Sequence, residues 1–441
     1  MVLHGRCVAC AIGRPYRDPM TGLRETLLSW IERDRNAIVE FLSHFVAVPS
    51  PNPPGDTRAA ADFLRARIAA LGAPVGYRTA KPEWPNVTGS FACASGGPHL
   101  VLNGHIDVFP AGDSADWSRD PWSGAVADGR VHGRGVTDMK CGTAASVFAF
   151  VYLHRLRRQL GGRLTLTCVS DEETGGTWGS KWLVDTFPDE FRGDCVLNGE
   201  PSTPGTIRFG EKGTLRLVLE IRTPGAHAAY THLSRNAIRI AGDLVRDLYA
   251  LEDMEVPQPD DIRRAIEQSR ATMDAVLGTG AGTILDRVTV SPGVIQGGLK
   301  INILPGRCRL EVDIRLPVGL THAAVMGRIE KILQKYPEAK VSPVWTHSAE
   351  PSACDPNHRM VGIVQDTVAS LNGRRPVPVV SLGATDCKHW RHRGVPAYVY
   401  GCTPNNMAKP DEWVDVEEYL HIVRTHVVAA AMYLASEGRA R

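Results

Sequence analysis

The chain has no run of five or more like charges, no long apolar stretch and no dense framework of cysteines. Each absence removes a class of function. With 50 basic residues against 48 acidic ones and a formal charge of +2, nothing offers the basic face that nucleic acid or an anionic membrane requires. A membrane-spanning helix needs about 20 consecutive apolar residues, and none is found. Ten cysteines are scattered at 7, 10, 93, 141, 168, 195, 308, 354, 387 and 402. They read as reduced thiols in a cytoplasmic protein, since a disulfide framework is dense and belongs to small secreted chains. Cys7 and Cys10 have the spacing of half a zinc site, but no second pair follows at a suitable distance. Residues 1–19 carry Arg6, Arg14, Arg17 and Pro15 without an apolar core, so they read as a leader before the first helix, with Met20 as an alternative start. A small molecule is the partner that these exclusions leave.

What the chain does have is alternation. Its 441 residues exceed one ordinary core and predict two domains with a cleft between them. Apolar residues at 23, 27, 31, 38, 41, 42 and 45 predict an amphipathic helix with one break, ended by SPNPPGD. TRAAADFLRARIAALG predicts a second helix stopping at Gly72. Then HLVLNGHID, RLTLTCVSDEE and DCVLNGE read as strands, separated by the helical segments GTAASVFAFVYLHRLRRQL and WGSKWLVDTF. That order predicts an α/β domain with a mostly parallel central sheet. After Glu200 the pattern becomes β-α-β-β-α-β, a ferredoxin-like unit. The expected organisation is a catalytic domain over residues 20–208 and 349–441, with the ferredoxin-like unit inserted over 209–348.

Polar residues collect where the strands end. In GHIDVFP, His105 and Asp107 stand two apart, so an extended strand turns both to one side. Asp107 is then expected to accept the second ring N–H of His105. GRGVTDMK contributes Asp138, SDEETGG contributes Glu172 and Glu173, and LNGEPST contributes Glu200. Singly, each is an ordinary surface acid. Together they sit at the carboxyl ends of strands, where such sheets bind ligands, and would repel one another unless a cation neutralised them. A histidine with carboxylates suits zinc, and also manganese or cobalt. Because neighbouring side chains in extended chain diverge, one of Glu172 and Glu173 is expected on the metal and the other beside an attacking water.

The ordered motifs GHIDVFP, GRGVTDMKCG, SDEETGG, NGEPS, GAHAAYTHLSRNAI, KINILPGR and VDIRLP closely resemble one zinc aminoacylase and carboxypeptidase family. That family includes acetylornithine deacetylase, succinyl-diaminopimelate desuccinylase and glutamate carboxypeptidase, and the resemblance spans about residues 25–435. It implies that Asp138 bridges two metals, that His105 and Glu200 complete the first site, and that Glu173 serves the second. It implies Glu172 as general base and then acid, with Asp107 beside the centre. It also implies that the inserted unit is a lid that makes a homodimer and carries His227 to the other subunit's active site, to stabilise the oxyanion. Asn302, Arg315 and Thr385 match positions near the substrate, and an arginine there suits a carboxylate. His232 is expected to be a surface or interface histidine.

One departure stands out. In NNMAKPDEWV the position where relatives carry the histidine of the second metal site is Ala408, and a methyl group ligates nothing. Two carboxylates alone are a poor set for zinc, so one tight metal is expected and the second weak or absent. Asn405, Asn406, Glu412 and His389 are the candidates to replace the missing imidazole. The stretch KHWRHR, residues 388–393, has no counterpart in the resemblance and reads first as a helix start with solvated charges. The sequence thus predicts a metal-dependent hydrolase of an N-acyl or peptide-like amide carrying a carboxylate. The alternatives are an aminohydrolase that releases ammonia from an amino-substituted acid, aromatic acids included, and an inactive binding protein.

Overall fold

The computed structural model describes residues 19–435. The leader and the Cys7–Cys10 pair therefore lie outside the described residues. The first amphipathic segment forms α1 (Pro19–Arg33) and α2 (Arg35–Val46), broken at Asp34, and α3 (Arg58–Ala70) follows. The larger core surrounds a mixed nine-stranded sheet. Its first strands are β1 (Gly76–Thr79), β2 (Pro85–Ala92), β3 (Ser95–His105), β4 (Gly161–Val169) and β5 (Cys195–Asn198). β3 lies between β4 and β5 and is parallel to both, so three strand ends open on one side of the sheet. The helix α4 (Cys141–Leu156) enters that side and is buried almost throughout. Its first turn meets the chain before Glu200 so closely that a side chain at Gly142 would collide with the Gly199 carbonyl.

β6 (Thr206–Glu211) also belongs to the large sheet, where it pairs with three strands of the second half of the chain. The expected boundary at 209 thus falls inside a strand of the larger unit, and the smaller unit begins one turn later. It consists of β7 (Gly213–Arg222), β8 (Thr289–Gly297), β9 (Arg307–Leu316) and β10 (Ala339–Pro343), antiparallel in the order β8-β9-β7-β10. Helices α5 (Ala237–Leu248) and α6 (His322–Leu333) cover it and share its separate apolar core. This is the ferredoxin-like order.

A second difference lies inside that stretch. The helix Asp260–Leu277 turns Ile262, Ala265, Ile266 and Met273 into the larger core, not the smaller one. Its polar composition hid an apolar face that is only four residues wide. The chain then returns to the large sheet through the strands Ser352–Ala353, Val377–Ser381 and Ala397–Val399, and ends in the buried helix Val416–Ala435.

Candidate metal centre

His105 is the last residue of β3 and is buried. Its Nδ1 lies 2.8 Å from the Asp107 main-chain oxygen and 3.5 Å from the Asp107 carboxylate. The expected orientation by the Asp107 carboxylate is therefore corrected: the carbonyl is the nearer acceptor for Nδ1–H. The Asp107 carboxylate is occupied elsewhere, accepting from Asn52 Nδ2 at 2.9 Å, Glu172 N–H at 3.2 Å and Glu173 N–H at 3.1 Å. One residue thereby fixes the imidazole and the turn that carries both glutamates.

With Nδ1 donating, Nε2 turns a lone pair toward the carboxylates. It lies 3.1 Å from Asp138 Oδ1 and 3.4 Å from Glu200 Oε1. Ligand atoms of His105, Asp138 and Glu173 fall within 4.8 Å of one another, and so do those of His105, Glu172 and Glu200. The four sequence-predicted metal ligands and the proposed base, Glu172, are thus brought together at one imidazole nitrogen.

Their positions have local causes. A buried polar ladder crosses the strands: Asn198 Nδ2 donates to Asn103 Oδ1 at 2.6 Å, and Glu200 N–H donates to Asn198 Oδ1 at 2.7 Å. Thr143 Oγ1 at the start of α4 donates to the His105 carbonyl at 2.7 Å. Asp138 sits in the loop before α4, and Glu412 holds that loop. The Glu412 carboxylate accepts from Arg134 Nη1 at 2.7 Å, Gly135 N–H at 3.0 Å, and Thr137 N–H and Oγ1–H at 2.8 and 2.7 Å. Glu412 is thus fully engaged and cannot replace the missing imidazole. His389 does not join the cluster: it lines a neighbouring lobe and not the cleft over the centre, and its ring nitrogen is not grouped with the ligand atoms.

The electrostatics fit a divalent cation. Burial and then Asp138 push the Glu200 carboxyl up to about 7, and the same two causes hold Glu173 well above the usual carboxylate range. Burial raises Glu172 likewise, opposed by Lys388, whose Nζ lies 3.9 Å from Glu172 Oε1. Burial lowers the His105 pKa, but the surrounding carboxylates, Glu200 first, outweigh it and raise it well above the ordinary value. Glu173 Oε1 is buried with no hydrogen-bond partner. A cation answers each of these features, and imidazole with carboxylates is a donor set that divalent metals accept.

A cleft of about 460 Å³ lies over the centre, between the two units. Arg216 and Arg315 face it from the small sheet, and both bind Asp313, at 3.2 and 2.6 Å. Arg315 thus lines the cleft, with Arg216 as an unforeseen neighbour. Thr385 is not: it is buried, and its hydroxyl donates to Glu211 Oε2 at 2.9 Å, while Gly383 and Ala384 face the cleft. His227 and Asn302 stand on the exposed side of the small unit, in and beside a ladder pairing Ala226–His227 with Ile303–Leu304, and do not line the cleft of their own chain. Ala408 lies exposed on its turn, and Met407 is the residue of that loop that lines the cleft. The solvated reading of KHWRHR is also corrected. Lys388, His389, Trp390 and Arg391 are buried in a short helix, because Arg391 pairs with Glu211 at 3.0 Å and Trp390 Nε1 donates to the Phe191 carbonyl at 2.8 Å.

Comparison with known proteins agrees with this geometry. Residues 101–432 match Peptidase family M20/M25/M40. Succinyl-diaminopimelate desuccinylase of Cereibacter sphaeroides is 29% identical over 340 residues, 74% of this chain and 82% of that protein. An M20 family metallo-carboxypeptidase from Sulfolobus solfataricus shares the fold with a TM-score of 0.75 at 19% identity, covering 90% of this chain and 98% of that one. A dinuclear metal-binding M20 peptidase from Bacillus subtilis does so with a TM-score of 0.64 at 14% identity, covering 91% and 99%. The match extends over most of the chain and includes all the clustered carboxylates, so the protein belongs to Peptidase family M20/M25/M40 and is a hydrolytic enzyme.

Proposed function

We propose that the enzyme cleaves the amide C–N bond of a small N-acyl amino acid or peptide-like substrate that carries a carboxylate. The observation that carries this reading is the Glu172–Glu173 turn. Glu173 joins His105 and Asp138, while the adjacent Glu172 groups with His105 and Glu200 and also faces Lys388 and the cleft. A zinc or manganese ion held by His105, Asp138 and Glu200, with Glu173 on the side of the weakened second site, would supply the acidification of a water and the polarisation of the amide carbonyl. Glu172 takes the proton from that water and delivers it to the leaving nitrogen. Its raised affinity for a proton suits both steps. Arg216 and Arg315 share one carboxylate, so a positive charge is left to receive the substrate's own.

One tightly held ion is the expected count, with Ala408 in place of the second imidazole. The chain acts as a homodimer in which His227 and Asn302 serve the neighbouring copy's cleft. The exposed apolar residues Tyr230, Leu233, Leu299 and Ile301 beside them support this. Eight free thiols among the described residues fit the cytoplasm.

The test is a screen of N-acyl amino acids and dipeptides with Zn²⁺, Mn²⁺ and Co²⁺ added separately. Products should be a free amine and a carboxylic acid, with no ammonia. Ammonia release from amino-substituted acids would replace this reading with the aminohydrolase one.

A further inference from the structure

The helix Asp260–Leu277 is the element that neither the metal centre nor the ferredoxin-like pattern explains. A unit inserted by two crossings of the chain can swing on them as on a hinge, and both crossings are present. Lys212 leads from β6 into β7, residues 344–351 lead back, and Thr214 and Ala349 pair across them at 2.8 and 2.9 Å. The segment between α5 and β8 makes a third connection. It leaves the small core after Leu251, packs Ile262, Ala265, Ile266, Met273, Ala281 and Leu285 into the large one, and rejoins the small core at Val288.

The third connection is tied to the hinge itself. Lys212 is buried there, 1% exposed. Its N–H donates to the Ser381 carbonyl of the large sheet at 2.9 Å, and its Nζ donates to the Ile284 and Arg287 carbonyls at 2.8 and 2.7 Å. A buried ammonium deprived of its acceptors is costly, so the hinge resists any rotation that draws Lys212 away from residues 284–287. The turn that offers those carbonyls is itself fixed. Arg270 Nη2 pairs with Asp286 at 2.7 Å, and Asp274 Oδ1 accepts from the Gly280 and Gly282 N–H groups at 3.1 and 2.7 Å. Just beyond Arg287, Thr289 opens β8 and stands opposite Arg315, whose other neighbour in the sheet is Thr214. Arg315 therefore sits between the hinge and the end of the third connection. On the other side of Lys212, Glu211 holds Thr385 at 2.9 Å and Arg391 at 3.0 Å, in the segment whose Lys388 faces Glu172. Glu211 and Lys212 thus join the arginine side of the cleft to the side that carries the proton-transfer group.

We propose that residues 260–288 are a brace across the hinge, latched by Lys212, that holds Arg216 and Arg315 of the small unit at a set distance from Glu172 of the large one. The two units then move as one body, where a hinge of two crossings would let the cleft open and close. Lys212 does not line the cleft. It is a positioning residue that acts through Arg315, and its effect falls on substrates that carry a carboxylate for the arginines to receive. The kinetic part of the proposal rests on the hydrolytic reading, and the geometric part stands without it.

The geometry is read by double electron–electron resonance between non-cysteine spin labels at Asp116 and Glu330, exposed positions on the large and small units, in protein diluted with unlabelled chains. The wild type should give one narrow distance, with and without N-acetyl-alanine. Lys212→Met should broaden it and Lys212→Arg should restore it. Arg270→Gln, at a partly exposed pair, should broaden it by loosening the turn instead of the latch. A wild-type distance as broad as that of Lys212→Met, or a Lys212→Met distance as narrow as that of the wild type, would overturn the brace. If Lys212→Met does not fold, Arg270→Gln decides in the same way. Kinetics separates positioning from bulk support. Lys212→Met should raise KM for N-acetyl-alanine about tenfold, change kcat less than about threefold, and leave hydrolysis of N-acetyl-alanine amide as in the wild type. An unchanged KM, or equal losses on both compounds, would overturn the positioning role. If neither compound is turned over, the hydrolytic reading fails, and the distance measurement still judges the brace.

Discussion

The two sides of the metal cluster differ in how they are built. Around His105 Nε2 every donor is pinned: the ring by the Asp107 carbonyl, Glu200 by Asn198, and the Asp138 loop by Glu412. On the side facing the 405–412 loop, Glu173 Oε1 has no partner and Ala408 offers only a methyl group. Yet Glu412, four residues beyond Ala408, keeps its full set of bonds to the Asp138 loop. Support and ligation are thus separable: the loop holds the Asp138 segment through Glu412 while Ala408 offers no ligand. A single substitution can change the metal count of such a site without loosening it.

The largest effect should come from striking the pinned side. His105→Ala should abolish tight metal binding and lower turnover by more than about 10³-fold, because both ligand groups meet at its Nε2. Glu173→Ala should cost far less, about tenfold, if the centre is essentially mononuclear. Elemental analysis and kcat for the two variants side by side measure the asymmetry, and equal losses would erase it. Glu412→Gln comes next. It leaves the ligands in place but removes the charge opposite Arg134 and weakens the hold on the Asp138 loop. Metal affinity should fall by about 10–100-fold, the usual cost of losing a partner behind a ligand. Titration against a competing chelator reads this directly.

Much of this was legible in the sequence because it depends on local order. The strand-end positions of His105, Glu172 and Glu200 follow from apolar runs that stop at polar residues, and the β-α-β-β-α-β unit follows from alternation alone. What escaped depends on long-range pairing. Glu412 lies 274 residues from Asp138, and only the fold brings its carboxylate to the Asp138 N–H. The helix Asp260–Leu277 has no place in the β-α-β-β-α-β pattern, because its buried face is narrow and packs on the other unit. Thr385 sits in a loop beside the cleft, but its side chain turns inward because buried Glu211 needs a donor there. Residue spacing carries no record of that choice.

A third variant sharpens the comparison by reversing it. Ala408 holds a left-handed backbone, φ 62°, on an exposed turn. Histidine tolerates that conformation better than most residues, so Ala408→His should fold without a large penalty. The expected outcome is a rise from about one tightly held metal per chain to about two, completing the donor set that zinc prefers. A count that stays at one would mean that the loop no longer brings position 408 to Glu173 and Asp138.

The smallest effect is a dependence of stability on pH that appears only without metal. Glu200 is pushed up to about 7 from 4.5 by burial and Asp138, and Glu172 and Glu173 are raised in the same direction. A group with a raised folded pKa contributes stability below its unfolded value and loses that contribution as pH rises through the folded one. His105, also raised, acts with the same sign. The metal-free protein should therefore lose several degrees of Tm as pH rises from about 4.5 to about 7, since the clustered carboxylates must then ionise together. Bound metal removes the repulsion and should flatten the profile across that window. Thermal unfolding of the chelated and metal-loaded forms over this range measures the difference, and a metal-free Tm that climbs with pH would show that the carboxylates do not converge in solution.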